Sequence, residues 1–473
     1  MAIFEYHYCL KGENHMIYPD VPSFTPEELS LLCEEYRENN YIDPKTSEKL
    51  GVKRGLRNPD GTGVLTGLTN ICDVVGYERD ENGNVIPCDG KLIYRGIDLM
   101  EFVHEAMDND RFMFEEVVWL LLFGSLPTED QLSRFRSLLE NHRELPDGFA
   151  ETMIMSAPSP NIMNKMARSV LAMYSYDENA ENGQLENIMS QSVNLIAQLP
   201  TMMVYAYQIK MHAYARGSLY LHYPIRGLST AEHILSTYRP DQKFTHEEAK
   251  LLDLCMLVHA DHGGGNNSTF TDRVLSSTGT DTYSAIAAAI CSLKGPKHGG
   301  ANLKVMQQLD TMKKALKDPT DRNEVREYLR KIIRKEAGDG SGLIYGVGHA
   351  VYTVSDPRAK ILKKYSHDLA YEKGLGTDYE LLCMIDELSP EIFREEKGLT
   401  KNMCANMDLY SGLVYRILGI SEELFTPIFA VSRIAGWCAH RMEEVEFSNR
   451  IIRPAYKYVG SSAEYVPMSD RED

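Results

Sequence analysis

The chain lacks several features that would direct its reading elsewhere. No wholly apolar run exceeds seven residues, Val117 to Phe123 being one such run, whereas a membrane-spanning helix needs about 20. Cysteine occurs nine times but never as C-x-x-C, and the odd count argues against a complete disulfide framework, so reduced, mostly buried thiols are expected. Positive charge is in deficit: 50 lysines and arginines against 68 aspartates and glutamates leave −18, which argues against a broad nucleic-acid surface. The fingerprints G-x-G-x-x-G, G-x-x-x-x-G-K-[ST] and G-x-S-x-G are all missing, which weakens dinucleotide-binding, NTPase and serine-hydrolase readings. Met1 to Leu10 has neither a basic region before an apolar run nor an Arg/Ser-rich amphipathic pattern, so the cytoplasm is the expected compartment.

With 473 residues, 43% hydrophobic and 25% charged, the chain can bury a large core. Helical punctuation dominates. Thr25-Pro26-Glu27-Glu28 combines an N-cap, a proline at the first helical position and a capping-box glutamate. Val117 to Phe123 is stopped by Gly124, and Thr128-x-x-Gln131 opens a further helix. Ser284 to Leu293, ended by Gly295-Pro296, has almost no polar face and predicts a helix buried on all sides. Asn302 to Lys317 is amphipathic, and Ser421 to Glu446 reads as a long helix. Between Asp60 and Asp98 the chain is rich in glycine, and short segments such as Gly90-Lys-Leu-Ile-Tyr-Arg-Gly96 read as small strands or turns, with little regular sheet expected. Neither a βαβ alternation nor a repeat is present.

Four segments concentrate the residues that do chemistry. In His259-Ala-Asp261-His262 followed by three glycines, two histidines three apart suggest zinc, but no further histidine or glutamate lies at a helpful local spacing and no metal is expected. The glycines imply close backbone approach to something, and a helix-capping histidine is the plainer alternative. In Gly295-Pro-Lys-His298-Gly-Gly-Ala-Asn302, His298 precedes a helix whose positive end disfavours imidazolium, although it reads equally as a structural loop histidine. Gly346-Val-Gly348-His349 runs on to Asp356-Pro-Arg358, with glycines that invite backbone contact with a ligand. In Asn406-Met-Asp408, the aspartate is either a reactive carboxylate or an N-cap. Arg433, amid apolar residues, needs an anion supplied by a structural carboxylate or a substrate, and Arg453 precedes Pro454.

Taken in order, with Gly90-Lys-Leu-Ile-Tyr-Arg-Gly96 ahead of them, these segments resemble the citrate synthase family, including its 2-methylcitrate synthase branch, over roughly four-fifths of the chain. The resemblance implies an all-α fold with a large domain and an inserted small one: an N-terminal extension over 1–60, the large domain over 61–299 and 419–473, and the small domain over 300–418. It further implies that His298, His349 and Asp408 are catalytic. His262, His349, Arg358, Arg433 and, from a second subunit of a homodimer, Arg453 would hold oxaloacetate. Leu343, Ile344, Gly346, Lys401 and Asn406 would lie along coenzyme A. No cofactor is implied beyond acetyl-CoA as substrate. Ala350 stands where other members carry arginine, and Ala405 and Met407 flank Asn406 where the family often has proline and valine. A propionyl-CoA enzyme and a catalytically silent member are the readings that compete with a citrate-forming one.

Overall fold

Capping decides where the helices begin. The computed structural model describes residues 24–58, 60–398, 403–448 and 450–471; Cys9, Lys401 and the first ten residues read above lie outside them. Thr25 caps helix α1 (Pro26–Asn39) through a complete capping box with Glu28. Helix α2 (Phe114–Phe123) stops at Gly124, whose φ of 83° supplies the left-handed turn that a side chain resists. Thr128 and Gln131 form the box that opens α3 (Glu129–Asn141); losing such a cap costs about 1 kcal/mol. Helix α4 (His246–His259) opens on another box, Thr245 with Glu248, and α5 (Asn267–Ser276) on Asn266.

Helix α6 (Thr282–Leu293) forms where the alanine-rich run predicts it, but it is not enclosed on all sides. Ser284, Ala288 and Ser292 are only half-buried and Cys291 is exposed, at the spacing of one helix face. Small side chains leave that stripe indistinguishable from core by composition. Next come α7 (Ala301–Ala315), α8 (Arg322–Ile333), α9 (Pro357–Glu372), α10 (Gly376–Lys397) and α11 (Asp408–Ile417). The last long helix, α12 (Phe425–Phe447), follows a short 3-10 turn at Glu422–Leu424.

The glycine-rich stretch holds more sheet than expected. Strands β1 (Cys72–Arg79), β2 (Val85–Tyr94) and β3 (Ile97–Asp98) form a three-stranded antiparallel sheet in the order 1-2-3. Its glycines answer to another segment crossing over it. A Cβ at Gly76 would lie 2.5 Å from the Val351 carbonyl oxygen, and one at Gly90 2.2 Å from that of Ser355. The sheet is thereby pressed against the loop that carries His349 and leads to Arg358.

The chain falls into two compact units, Met1–Thr66 with Arg453–Asp473, and Gly67–Ile452. In the first, α1 exposes Leu29, Leu32 and Tyr36. In the second, α5, α6 and α12 pack on one another, and α7 to α11 form a second group in which α8 lies on α10 and α11 on α7 and α9. Helix α4 touches α9, α11 and α12. Its last residue, His259, therefore opens the reactive loop where the two groups meet. Along α8 and α10, Arg322, Arg326, Arg330 and Arg334 pair with Glu387, Glu391, Glu395 and Glu396.

Candidate active site

Backbone pairing brings two of the segments together. Val347 bridges Ala405, Gly348 N–H donates to the Cys404 oxygen at 2.8 Å, and Asn406 N–H to that of Gly346 at 2.9 Å. Asn406 closes the joint: its Nδ2 donates to the Gly348 oxygen at 2.8 Å, while its Oδ1 accepts from Asp408 N–H at 2.9 Å. His349 and Asp408 are thus mounted on one small clasp. Asp408 is the first helical residue of α11 rather than its cap, a position held by Met407. The capping alternative therefore fails for this residue.

The ring of His349 has an assignable tautomer. Its Nδ1 accepts from the N–H groups of Val351 and Tyr352 at 3.1 and 3.0 Å, which leaves Nε2 to carry the proton. The ring stacks on Tyr352 at 4.8 Å and meets His262 edge-on at 5.3 Å. His298 is fixed likewise: Ser268 N–H points at its Nε2 at 3.4 Å, with the Ser268 hydroxyl 3.2 Å away. That hydroxyl accepts in turn from Trp437 Nε1. Nδ1 of His298 is then the donor nitrogen. Burial and the Arg433 charge push its pKa down to about 4, so the ring is neutral at pH 7.

Two buried guanidiniums flank these rings. Arg358, in the first turn of α9, is gripped by Asp356, which also caps that helix. Arg433 is wholly buried on α12; its Nε donates to the His259 oxygen at 2.7 Å, its plane lies over Phe429, and neither Nη atom has a hydrogen-bond partner among the described residues. His262 is buried, with no hydrogen-bond partner for Nε2 among the described residues. Burial, then the charges of Arg358, His349, Arg433 and His298, holds its pKa well below the usual histidine range. Asp408 is pushed the other way: burial lifts it to about 6 although Arg358 and Arg433 oppose the rise. His259, by contrast, faces its own helix, with Nδ1 2.6 Å from the Cys255 oxygen.

The remaining expected residues are placed differently. Leu343 is exposed and Ile344 buried, on the loop before the clasp. Gly346 has φ 81°, and a Cβ there would meet Leu409 at 2.8 Å, so helix packing by itself requires the glycine. Arg453 is exposed and belongs to the first unit.

Asp356, Tyr352, Ser268 and Asp261 are the side chains that residue patterns left without a role. Asp356 carried a usable signal, an aspartate before Pro at a helix start with an arginine two residues on. Locally Ser268 is bound only to the helix cap Asn266, and the His298 and Trp437 rings that give it a part in the site lie 30 and 169 residues away.

A mostly helical chain with two buried arginines, three histidines and a carboxylate of raised pKa in one cluster defines a class: an enzyme of acid–base chemistry on a small anionic substrate. The comparisons make this specific. Residues 59–455 match the family model described as citrate synthase, C-terminal domain. The citrate synthase of Haloferax volcanii is 36% identical over 392 residues, spanning 81% of this chain and 93% of that protein. The 2-methylcitrate synthase of Shewanella oneidensis is 33% identical over 381 residues, 80% and 92% of the two chains. Among solved structures, the ternary complex of carboxymethyl coenzyme A and oxaloacetate with the citrate synthase of Thermoplasma acidophilum superposes with a TM-score of 0.72 at 27% identity, covering 89% of this chain and 99% of the other. The chain belongs to the citrate synthase family.

Proposed function

We propose that the protein condenses acetyl-CoA with oxaloacetate and hydrolyses the resulting thioester to citrate and free CoA. The observation that carries this reading is Arg433, a buried cation whose Nη atoms have no partner among the described residues, beside Arg358 and His262. Five donors in a fixed plane match a carboxylate, and a buried guanidinium left bare is costly.

Asp408 takes a proton from the thioester methyl while Nδ1–H of neutral His298 donates to the thioester oxygen where charge collects. The enol carbon then attacks the oxaloacetate ketone, whose oxygen accepts from Nε2–H of His349. Water cleaves the thioester, releasing the CoA thiol. His262, Arg358 and Arg433 hold the dicarboxylate, with Arg453 of a homodimeric partner completing the set. CoA lies along Leu343, Ile344, Gly346 and Asn406, with Lys401 nearby. Residues 300–418 close over oxaloacetate as a small domain that keeps water from the enol. No metal or cofactor takes part, and the compartment is the cytoplasm.

Steady-state release of free thiol tests the reading. Turnover with acetyl-CoA that requires oxaloacetate and persists in a chelator supports it. Inactivity with every short acyl-CoA overturns it. The 2-methylcitrate synthase relative makes propionyl-CoA the necessary second substrate, and the higher kcat/KM assigns the acyl group.

A further inference from the structure

One face of α12 grips the loop after α4 at three successive points. Arg433 Nε donates to the His259 oxygen, Gly436 N–H to that of Ala260 at 3.2 Å, and His440 Nε2 lies 3.0 Å from Asp261 Oδ2. Positions 433, 436 and 440 share a helical face. Behind His440 stands Arg273 of α5, whose Nε and Nη2 lie 3.1 and 2.8 Å from its Nδ1. Two donors at Nδ1 make it the acceptor, so the ring proton is on Nε2 and is donated to Asp261. Arg273 is itself held by Glu443 and Glu444.

The loop has closed around this arrangement. Asp261 Oδ2 also accepts from Gly263 N–H at 3.2 Å, and its N–H meets the Tyr94 hydroxyl at 3.4 Å. A Cβ at Gly436 would sit 2.4 Å from Asp261 Oδ1, and one at Gly264 3.2 Å from Arg273 Nε. Gly264, two residues after His262, therefore approaches Arg273 and His440. His440 and Asp261 have no exposed side-chain surface, so the pair cannot trade its bond for water.

We infer that His440, oriented by Arg273, is a positioning residue that sets His262 and Arg433 for the dicarboxylate by fixing Asp261 between them. It touches no substrate. The inference rests on the oxaloacetate reading above and predicts a selective defect: oxaloacetate affinity changes and thioester affinity does not.

Two polar replacements separate the ends of the ring. In His440→Asn the amide oxygen still reaches Arg273 but nothing reaches Asp261; in His440→Gln the amide N–H reaches Asp261. His440→Asn should raise KM and the calorimetric Kd for oxaloacetate by roughly tenfold or more, leaving KM for acetyl-CoA within about twofold at saturating oxaloacetate. His440→Gln should restore most of that loss. Equal behaviour of the two variants, parental affinity in His440→Asn, or parallel changes in both KM values overturns the inference. If His440→Asn does not fold, Asp261→Ala removes the acceptor and with it the same bond from the loop side, and an unchanged oxaloacetate Kd there overturns it equally. An unmutated protein that binds oxaloacetate without turnover overturns the proposed reaction alone, since calorimetry still reads the network.

Discussion

Asp356 holds Arg358 by two parallel hydrogen bonds across a single turn, Nε to Oδ1 at 3.0 Å and Nη2 to Oδ2 at 2.7 Å, with both side chains buried. The carboxylate claims the edge of the guanidinium formed by Nε and Nη2. The Asp356 charge also accounts, against burial, for the raised pKa of Arg358. Asp356→Asn keeps the cap but leaves a buried cation uncompensated, so unfolding free energy without ligand should fall by about 3–5 kcal/mol. Saturating oxaloacetate should recover part of that loss. Denaturant melts with and without oxaloacetate measure both; an unchanged midpoint would refute the pairing as a stabilising contact.

Asp408→Asn preserves the shape of the clasp and removes the proton acceptor. Turnover should drop by about 10²–10⁴-fold, while the calorimetric affinity for oxaloacetate stays within a factor of about three. Near-parental turnover in a folded variant would exclude Asp408 as the base.

The pH profile carries the sign of the Asp408 shift. Its pKa is raised to about 6, and the base must be ionised, so kcat/KM for acetyl-CoA should decline below pH 6. An ordinary aspartate would hold activity down to about pH 4. A limb at that lower value would show that Asp408 is not the group titrating.

Oxaloacetate should protect the chain from proteolysis and raise its melting temperature more than acetyl-CoA does alone, because its charge meets the unpartnered Nη atoms of Arg433. Equal protection by either ligand would count against ordered closure.

Mixed dimers test whether Arg453 serves the neighbouring site. Asp408→Ala and Arg453→Ala, each inactive alone, leave one native composite site when paired. Random pairing makes about half the dimers mixed, so about a quarter of parental activity should return. No recovery, with mixed dimers shown by differential tags, means that Arg453 acts within its own chain.

Much of this was legible because capping and reactive motifs are local. Thr25 with Glu28 and Thr128 with Gln131 announce their helices within four residues, and five ordered segments announce the family. The sheet was harder: the abundance of glycine argued against regular sheet, but Gly76 and Gly90 make room for Val351 and Ser355, more than 260 positions away. Cys291 was misplaced for a similar reason, since alanine, serine and cysteine suit a core and a surface alike. Asp261 was visible in its motif, but its partner His440 comes 179 residues later on a helix otherwise rich in apolar side chains. Only the folded chain sets the two side by side.

The arginine–glutamate rungs between α8 and α10 have a consequence for register. Both partners advance by four residues at the first three rungs, so the helices run parallel, and a slip of one turn, about 5.4 Å, would recreate most of the pairing. The rungs thus fix the rotation of one helix against the other and are nearly degenerate in translation. Val325 and Leu329, fully buried on the same helix, break that degeneracy because a slipped position would leave them without their cavities. Charge sets the angle of this pair and shape sets its depth, so Leu329→Ala would loosen a sliding coordinate that no single salt bridge controls.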